Sequence, residues 1–100
     1  MSRQSLVHRI ISAENITSTV TSVQSGAAPF GANVARVVST AAVNIVINNN
    51  PTATTATGAA IRVTDEAWFV VSPSTTVGGT DGDKIASIGT ATVNVTWLAG

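Results

Sequence analysis

The chain predicts an all-β fold: a single antiparallel β-sandwich, jelly-roll or immunoglobulin-like, of about seven short strands with an N-terminal arm. Three observations carry that expectation. Short β-branched runs such as Val43–Asn48 recur at spacings of about 8–12 residues. Clusters of Gly, Pro, Asn, Asp and Ser separate them. No strand-helix-strand pattern is present, which argues against a parallel sheet. One hundred residues make one domain, read as an arm over 1–15 and a sandwich over 16–100. A chain of that length buries about 60–70% of its unfolded surface, enough for one core.

Residues 1–15 read two ways. Leu6, Val7, Ile10 and Ile11 fall at helical spacing, but a helix so short is marginal unless it packs on something. The strand-rich remainder favours an extended arm carrying Arg3 and Arg9, lying on a neighbouring subunit or joining its own core. Residues 16–23 alternate Ile16, Ser18 and Val20 against Thr17, Thr19 and Thr21, a strand pattern. Residues 24–33 contain Pro29 and two glycines and form a loop. In the strand over 34–40, Val34, Arg36 and Val38 share one face and Ala35, Val37 and Ser39 the other. Thr40-Ala41-Ala42 connects it to Val43–Asn48, whose Val43, Ile45 and Ile47 share a face.

Asn49-Asn50-Pro51 stops that strand, and a long uncharged loop of small hydroxyls runs on to Gly58. Residues 59–63 form a short strand centred on Ile61, and Thr64-Asp65-Glu66 a turn. Residues 67–72 are nearly all apolar. Such a run is usually buried on both faces or lies at a contact, so Trp68, like Trp97, reads as a core residue. Pro73 ends it. Residues 74–83, with Gly78-Gly79 and Asp81-Gly82-Asp83, read as a flexible loop holding a tight turn. Lys84–Ile88 is a strand and Gly89-Thr90 a two-residue hairpin turn. The last strand, 91–98, turns Val93, Val95 and Trp97 inward and Thr92, Asn94 and Thr96 outward.

Only 10% of the residues are charged, with net charge zero, against a usual value of about 25%. The five cationic residues stand singly along the chain, so no direct binding of nucleic acid or anionic lipid is expected. Near-neutral surfaces repel their copies weakly, and self-association is expected. There is no cysteine, hence no disulfide or thiolate metal site, which fits folding in a reducing cytosol. No segment reaches the roughly 18–20 apolar residues of a membrane span, and the first residues make a poor signal peptide.

Catalytic signals are weak. The single histidine, His8, has no nucleophile elbow to serve. The acids Asp65-Glu66 and Asp81-Gly82-Asp83 lack the aromatic-lined cleft that glycoside hydrolysis requires. Ile85, Ala86 and Ser87 stand where a calcium loop continues toward its bidentate Glu. The sequons Asn15-Ile16-Thr17 and Asn94-Val95-Thr96 carry little weight without a secretory signal. The expectation is a non-enzyme with no catalytic residue, metal or cofactor. Arg36 and Arg62 sit mid-strand among valine, alanine and isoleucine, where each pairs with Asp65, Glu66 or Asp83 or contacts another subunit.

A longer pattern carries a resemblance. Asn49-Asn50-Pro51-Thr52-Ala53-Thr54 is followed by Gly58-Ala59-Ala60-Ile61, then Trp68-Phe69-Val70-Val71, then Lys84-Ile85-Ala86-Ser87-Ile88-Gly89 and a closing Thr-Val-Asn-Val-Thr strand. Over roughly residues 34–98 this resembles small virion proteins of tailed bacteriophages. It is similar to head decoration, or cement, proteins, and departs from them at 74–83, where a shorter connection is expected. The resemblance implies a small β-sandwich on the capsid exterior, made in the host cytoplasm, that stabilises the shell by bridging major capsid protein subunits. Its partners would be the major capsid protein and copies of itself, as a dimer or trimer. The expected interface is Leu6, Val7, Ile10 and Ile11 of the arm, Asn49, Asn50, Pro51, Thr52 and Thr54 of the loop, and Arg36 and Arg62. The alternative is a tail-fibre or spike module binding host surface glycans, for which Trp68 or Trp97 would be exposed beside Asp65 or Asp81.

Overall fold

The computed structural model describes residues 9–55 and 60–100. Every regular element in them is a strand: β1 (Arg9–Ser18), β2 (Val23–Gln24), β3 (Val34–Ser39), β4 (Val43–Asn48), β5 (Ile61–Val63), β6 (Glu66–Val70), β7 (Lys84–Ile88) and β8 (Ala91–Ala99). They form two four-stranded antiparallel sheets, ordered β1-β8-β3-β6 and β2-β7-β4-β5. The pairing is nested, first strand with last, second with seventh, third with sixth and fourth with fifth. That nesting is the double-wound order of a jelly roll, and it decides between the two expected topologies.

The nesting also corrects three local expectations. The first strand starts at Arg9, so residues 9–15, expected in the arm, belong to the sandwich. The pattern over 16–23 is not one strand: the chain leaves β1 after Ser18 and enters the other sheet at Val23. Gly89-Thr90 joins strands of different sheets and closes no hairpin. Gly89 makes that crossing with φ 122°, a value side-chain-bearing residues rarely adopt, while its N–H donates to the Thr19 carbonyl at 2.7 Å. The eighth strand is the two-residue β2.

Alternation builds the core. Ala35, Val37, Val93, Val95 and Trp97 point inward from one sheet, and Val43, Ile45, Val63 and Ile85 from the other. Polar groups inside are paired. The Ser87 hydroxyl donates to that of Ser18 at 2.9 Å, tying β7 to β1 across the sandwich. Glu14, on the inward side of edge strand β1, accepts from the Gly26 N–H at 2.9 Å and from the Trp97 indole at 3.4 Å. An inward acid and the register shift between Ile10 and Ser12 both discourage another chain from pairing with this edge.

Candidate functional site

The two outer faces of the sandwich differ. Across the β2-β7-β4-β5 sheet, Gln24, Ala86 and Val46 form an outward row. The chain after β4 folds back over it. The Gln24 amide donates to the Pro51 carbonyl at 2.7 Å and to Asn50 Oδ1 at 3.1 Å. The Ala53 N–H donates to the Ser22 hydroxyl, Asn44 donates to the Thr54 carbonyl, and the Lys84 ammonium donates to the Asn49 carbonyl. Pro51 and Ala53 are buried in this strap, and Ala86 beneath is fully buried.

The strap revises the interface expected there. Asn49, Asn50 and Thr52 are exposed, whereas Pro51 is core-like and Thr54 half-buried, so those two face their own domain. Residues 56–59 of the same loop lie outside the described residues. Arg62, on the outward side of β5, is exposed and donates to Asn44 Oδ1 at 3.3 Å, not to one of the expected acids.

The β1-β8-β3-β6 sheet presents an outer face that is exposed along its edge strands, while Leu98 and Thr96 at its centre are buried. Its register gives three successive rows across all four strands: Ile10, Leu98, Val34 and Val70; then Ala13, Thr96, Arg36 and Trp68; then Asn15, Asn94, Val38 and Glu66. Val70 is 87% exposed, Ile10 66% and Trp68 49%. Trp68 is therefore a surface residue, contrary to expectation, while Trp97 is buried. The apolar run over 67–72 belongs to an edge strand whose pleat sends Trp68 and Val70 outward. Of the expected arm residues, Ile10 lies on this face. Ile11, at the register shift, packs against the core, and Leu6 and Val7 lie outside the described residues.

Arg36 crosses the middle of the face. Its Nε donates to Glu66, and its guanidinium lies 5.9 Å from the Trp68 ring centroid. This is the ion pair found among the described residues. The Arg36 hydrogen bond holds the Glu66 carboxyl below the ordinary glutamate range, and a hydrogen bond from Trp68 adds to the effect. Beside it the Asn94 amide donates to Asn15 at 3.0 Å and Thr96 donates to Asn94 at 2.9 Å. The two sequon asparagines are thus each other's partners.

Asp81 and Asp83 do not converge as a metal site would require. Asp81 accepts from the Thr75 hydroxyl and N–H at 2.7 and 3.0 Å, and Asp83 from the Ser72 N–H at 2.9 Å. Both acids thus hold down the 71–83 connection, in which residues 74–83 were expected to be flexible. The Thr75 hydrogen bonds also lower the Asp81 carboxyl. A carboxyl depressed in the folded chain adds stability above its unfolded pKa and loses it as the pH falls. The thermal midpoint is therefore expected to drop on acidification through and below the ordinary carboxylate range, and Glu66→Gln should flatten part of that slope. A midpoint unchanged from neutral pH to about 3 would contradict both assignments.

The ends of the sandwich differ as well. At one, the connections between β1 and β2, β3 and β4, β5 and β6, and β7 and β8 carry Thr19, Thr21, Ser22, Thr40, Thr64 and Thr90, along with Val20, which is 81% exposed. At the other gather the three long connections, the start of β1 and Gly100, which exchanges hydrogen bonds with Asn33. Phe30 and Val77 are exposed there, Val77 at 84%. Among the described residues no three His, Cys, Asp or Glu side chains come together, and no helix is long and apolar enough to cross a membrane.

No family model, curated protein or solved structure matches the chain.

Proposed function

We propose that the chain is a structural virion protein that decorates a bacteriophage capsid from outside and stabilises it by bridging major capsid protein subunits. The observation that carries this is the exposed apolar pair Phe30 and Val77 at the end where the three long connections gather. That end exposes Phe30 and Val77 and also holds the exposed Asn49 and Asn50, while the opposite end carries threonine hydroxyls together with the exposed Val20. A domain so built seats Phe30 and Val77 on a surface. Each seat is small, but simultaneous seats on a closed lattice reinforce one another without any chemistry. The jelly roll is an architecture shared by capsid and lectin domains, which supports the reading by analogy of fold alone.

The test is composition and then substitution. Mass spectrometry of purified virions should find the chain in fixed ratio to the major capsid protein. The double variant Phe30→Asp with Val77→Asp should fold normally, both side chains being exposed, yet incorporate at least about tenfold less. Absence from the particle, or undiminished incorporation of the variant, overturns the seating. The second reading, a tail-fibre or spike module for host glycans, draws on the exposed Trp68 with Glu66, Asn94 and Thr96 around it. It requires that Trp68→Ala abolish retention on host surface glycans.

A further inference from the structure

We propose that the open face of the β1-β8-β3-β6 sheet binds a second copy of this chain about a two-fold axis, with Arg36 of each copy against Glu66 of the other. The inference deepens the decoration reading, which calls for a self-associating unit, but it is measured without a particle.

Three features of the face favour a copy of itself as the occupant. First, the sandwich has one outer face to offer. The opposite sheet is covered by its own strap, with Pro51 and Ala53 buried over it. Second, Ile10, Leu98, Val34 and Val70 make one apolar cross-strand row on this face, exposed at its two edges in Ile10 and Val70, half-buried at Val34 and buried at Leu98.

Third, the charges of the face are self-complementary. It carries one cation and one anion side by side, Arg36 and Glu66. Such a pair is a dipole lying in the plane of the sheet. A two-fold axis lying between the two faces and perpendicular to that dipole turns the partner's dipole head to tail, so that each guanidinium meets a second carboxylate. The donors for this exist. Among the described residues the Arg36 hydrogen bond uses Nε, which leaves the terminal amino groups of the fork for a bidentate contact. A partner of strong single sign would leave one of the two charges opposed.

The size of the face sets the expected strength. Four strands about 4.8 Å apart and about six residues long present a patch roughly 20 Å square. That is about half of what each partner gives to a standard interface, so the dimer should be weak, with Kd on the order of 10–100 µM.

Sedimentation velocity from about 5 µM to 1 mM reads this directly. The wild-type chain should move from monomer to dimer across that range. Val70→Lys, which alters an 87% exposed side chain, should weaken the dimer at least about tenfold. Glu66→Arg and Arg36→Glu should each be monomeric alone, yet form a heterodimer when mixed, because two like-charged faces then become an opposite pair. Recovery on mixing is intermolecular, so it separates the contact from any folding defect in one variant.

A wild-type chain that stays monomeric at 1 mM, a trimer, or failure of the mixed variants to pair overturns the proposal. So does a chain that dimerises only once residues 1–8 are deleted, since its own N-terminal segment would then be the occupant. If Val70→Lys leaves the dimer intact but prevents incorporation into particles, the face belongs to the shell, and the decoration reading stands without this dimer. If the dimer behaves as expected and the Phe30 and Val77 double variant still incorporates, the dimer stands and the seating fails.

Discussion

Trp97→Ala is expected to destabilise the protein by about 3–5 kcal/mol, whereas Trp68→Ala should cost no more than about 1 kcal/mol. Both tryptophans come from strands of the same sheet, but they point to opposite sides of it. Trp97 is 1% exposed, opposite Ala35 on β3, and is the one aromatic side chain fully buried in a core otherwise made of Val, Ile and Ala. Its neighbours are short and β-branched, so they cannot collapse into the space it leaves. Its indole N–H also supplies a donor to the inward carboxylate of Glu14, which would be left with the Gly26 N–H. A domain of this size holds about 5–15 kcal/mol in total, so the loss should lower the thermal midpoint by about 15–30 °C. Trp68 rests on the outer surface against Arg36 and keeps half its area in water. Thermal or urea unfolding of the two variants side by side checks the contrast. Equal losses would contradict the placement of Trp97 inside and Trp68 outside.

Gly82→Ala should be nearly as damaging for the opposite reason, a lack of space. A Cβ at residue 82 would stand 2.5 Å from the Ala28 carbonyl oxygen, 2.6 Å from the Ser74 nitrogen and 2.9 Å from the Pro73 carbonyl carbon. All three are main-chain atoms and cannot swing aside. They belong to a buried knot in which the Ser74 hydroxyl donates to Ala28 and accepts from the Gly82 N–H, while the Ser74 N–H also donates to Ala28. Opening the knot to admit a methyl group breaks these bonds together and frees both long connections, so a loss of about 3 kcal/mol is expected. Gly78→Ala is the control. That residue has φ 77° but open space around it, so only the backbone penalty of about 1 kcal/mol applies. If the two alanine variants melt together, close packing at Gly82 is not what holds the connection.

Much of the sandwich was readable because its central strands alternate cleanly. Val43–Asn48 and Lys84–Ile88 appear with the bounds their sequences imply, and the inward positions of β3, β4 and β8 follow the two-residue period. The failures sit at edges and crossings. In β1 the register shift between Ile10 and Ser12 sends Ile10 outward while the adjacent Ile11 packs on the core, which breaks the period and imitates helical spacing. Between Ser18 and Val23 the alternation runs on while the chain changes sheets, and hydrophobic pattern carries no record of which sheet a strand joins. Trp68 was misjudged because an apolar run looks the same whether it is covered on both sides or lies on an edge strand with one side open. The strap was unreadable for a related reason. Pro51 and Ala53 are buried by hydrogen bonds from Gln24 and Ser22, residues about thirty positions away that carry no local signal.

That strap has a consequence for how far any assembly can grow. A slab with two adhesive sides stacks indefinitely, each addition exposing a fresh copy of the surface just consumed. Here one side is sealed by the chain's own return path, pinned at five points by hydrogen bonds. The proposed pairing through the remaining side would therefore terminate at two copies rather than grow into a fibre. Loosening the seal, by removing Gln24 and Asn44 together, is expected to turn that self-limiting pairing into polymerisation, which sedimentation velocity would read.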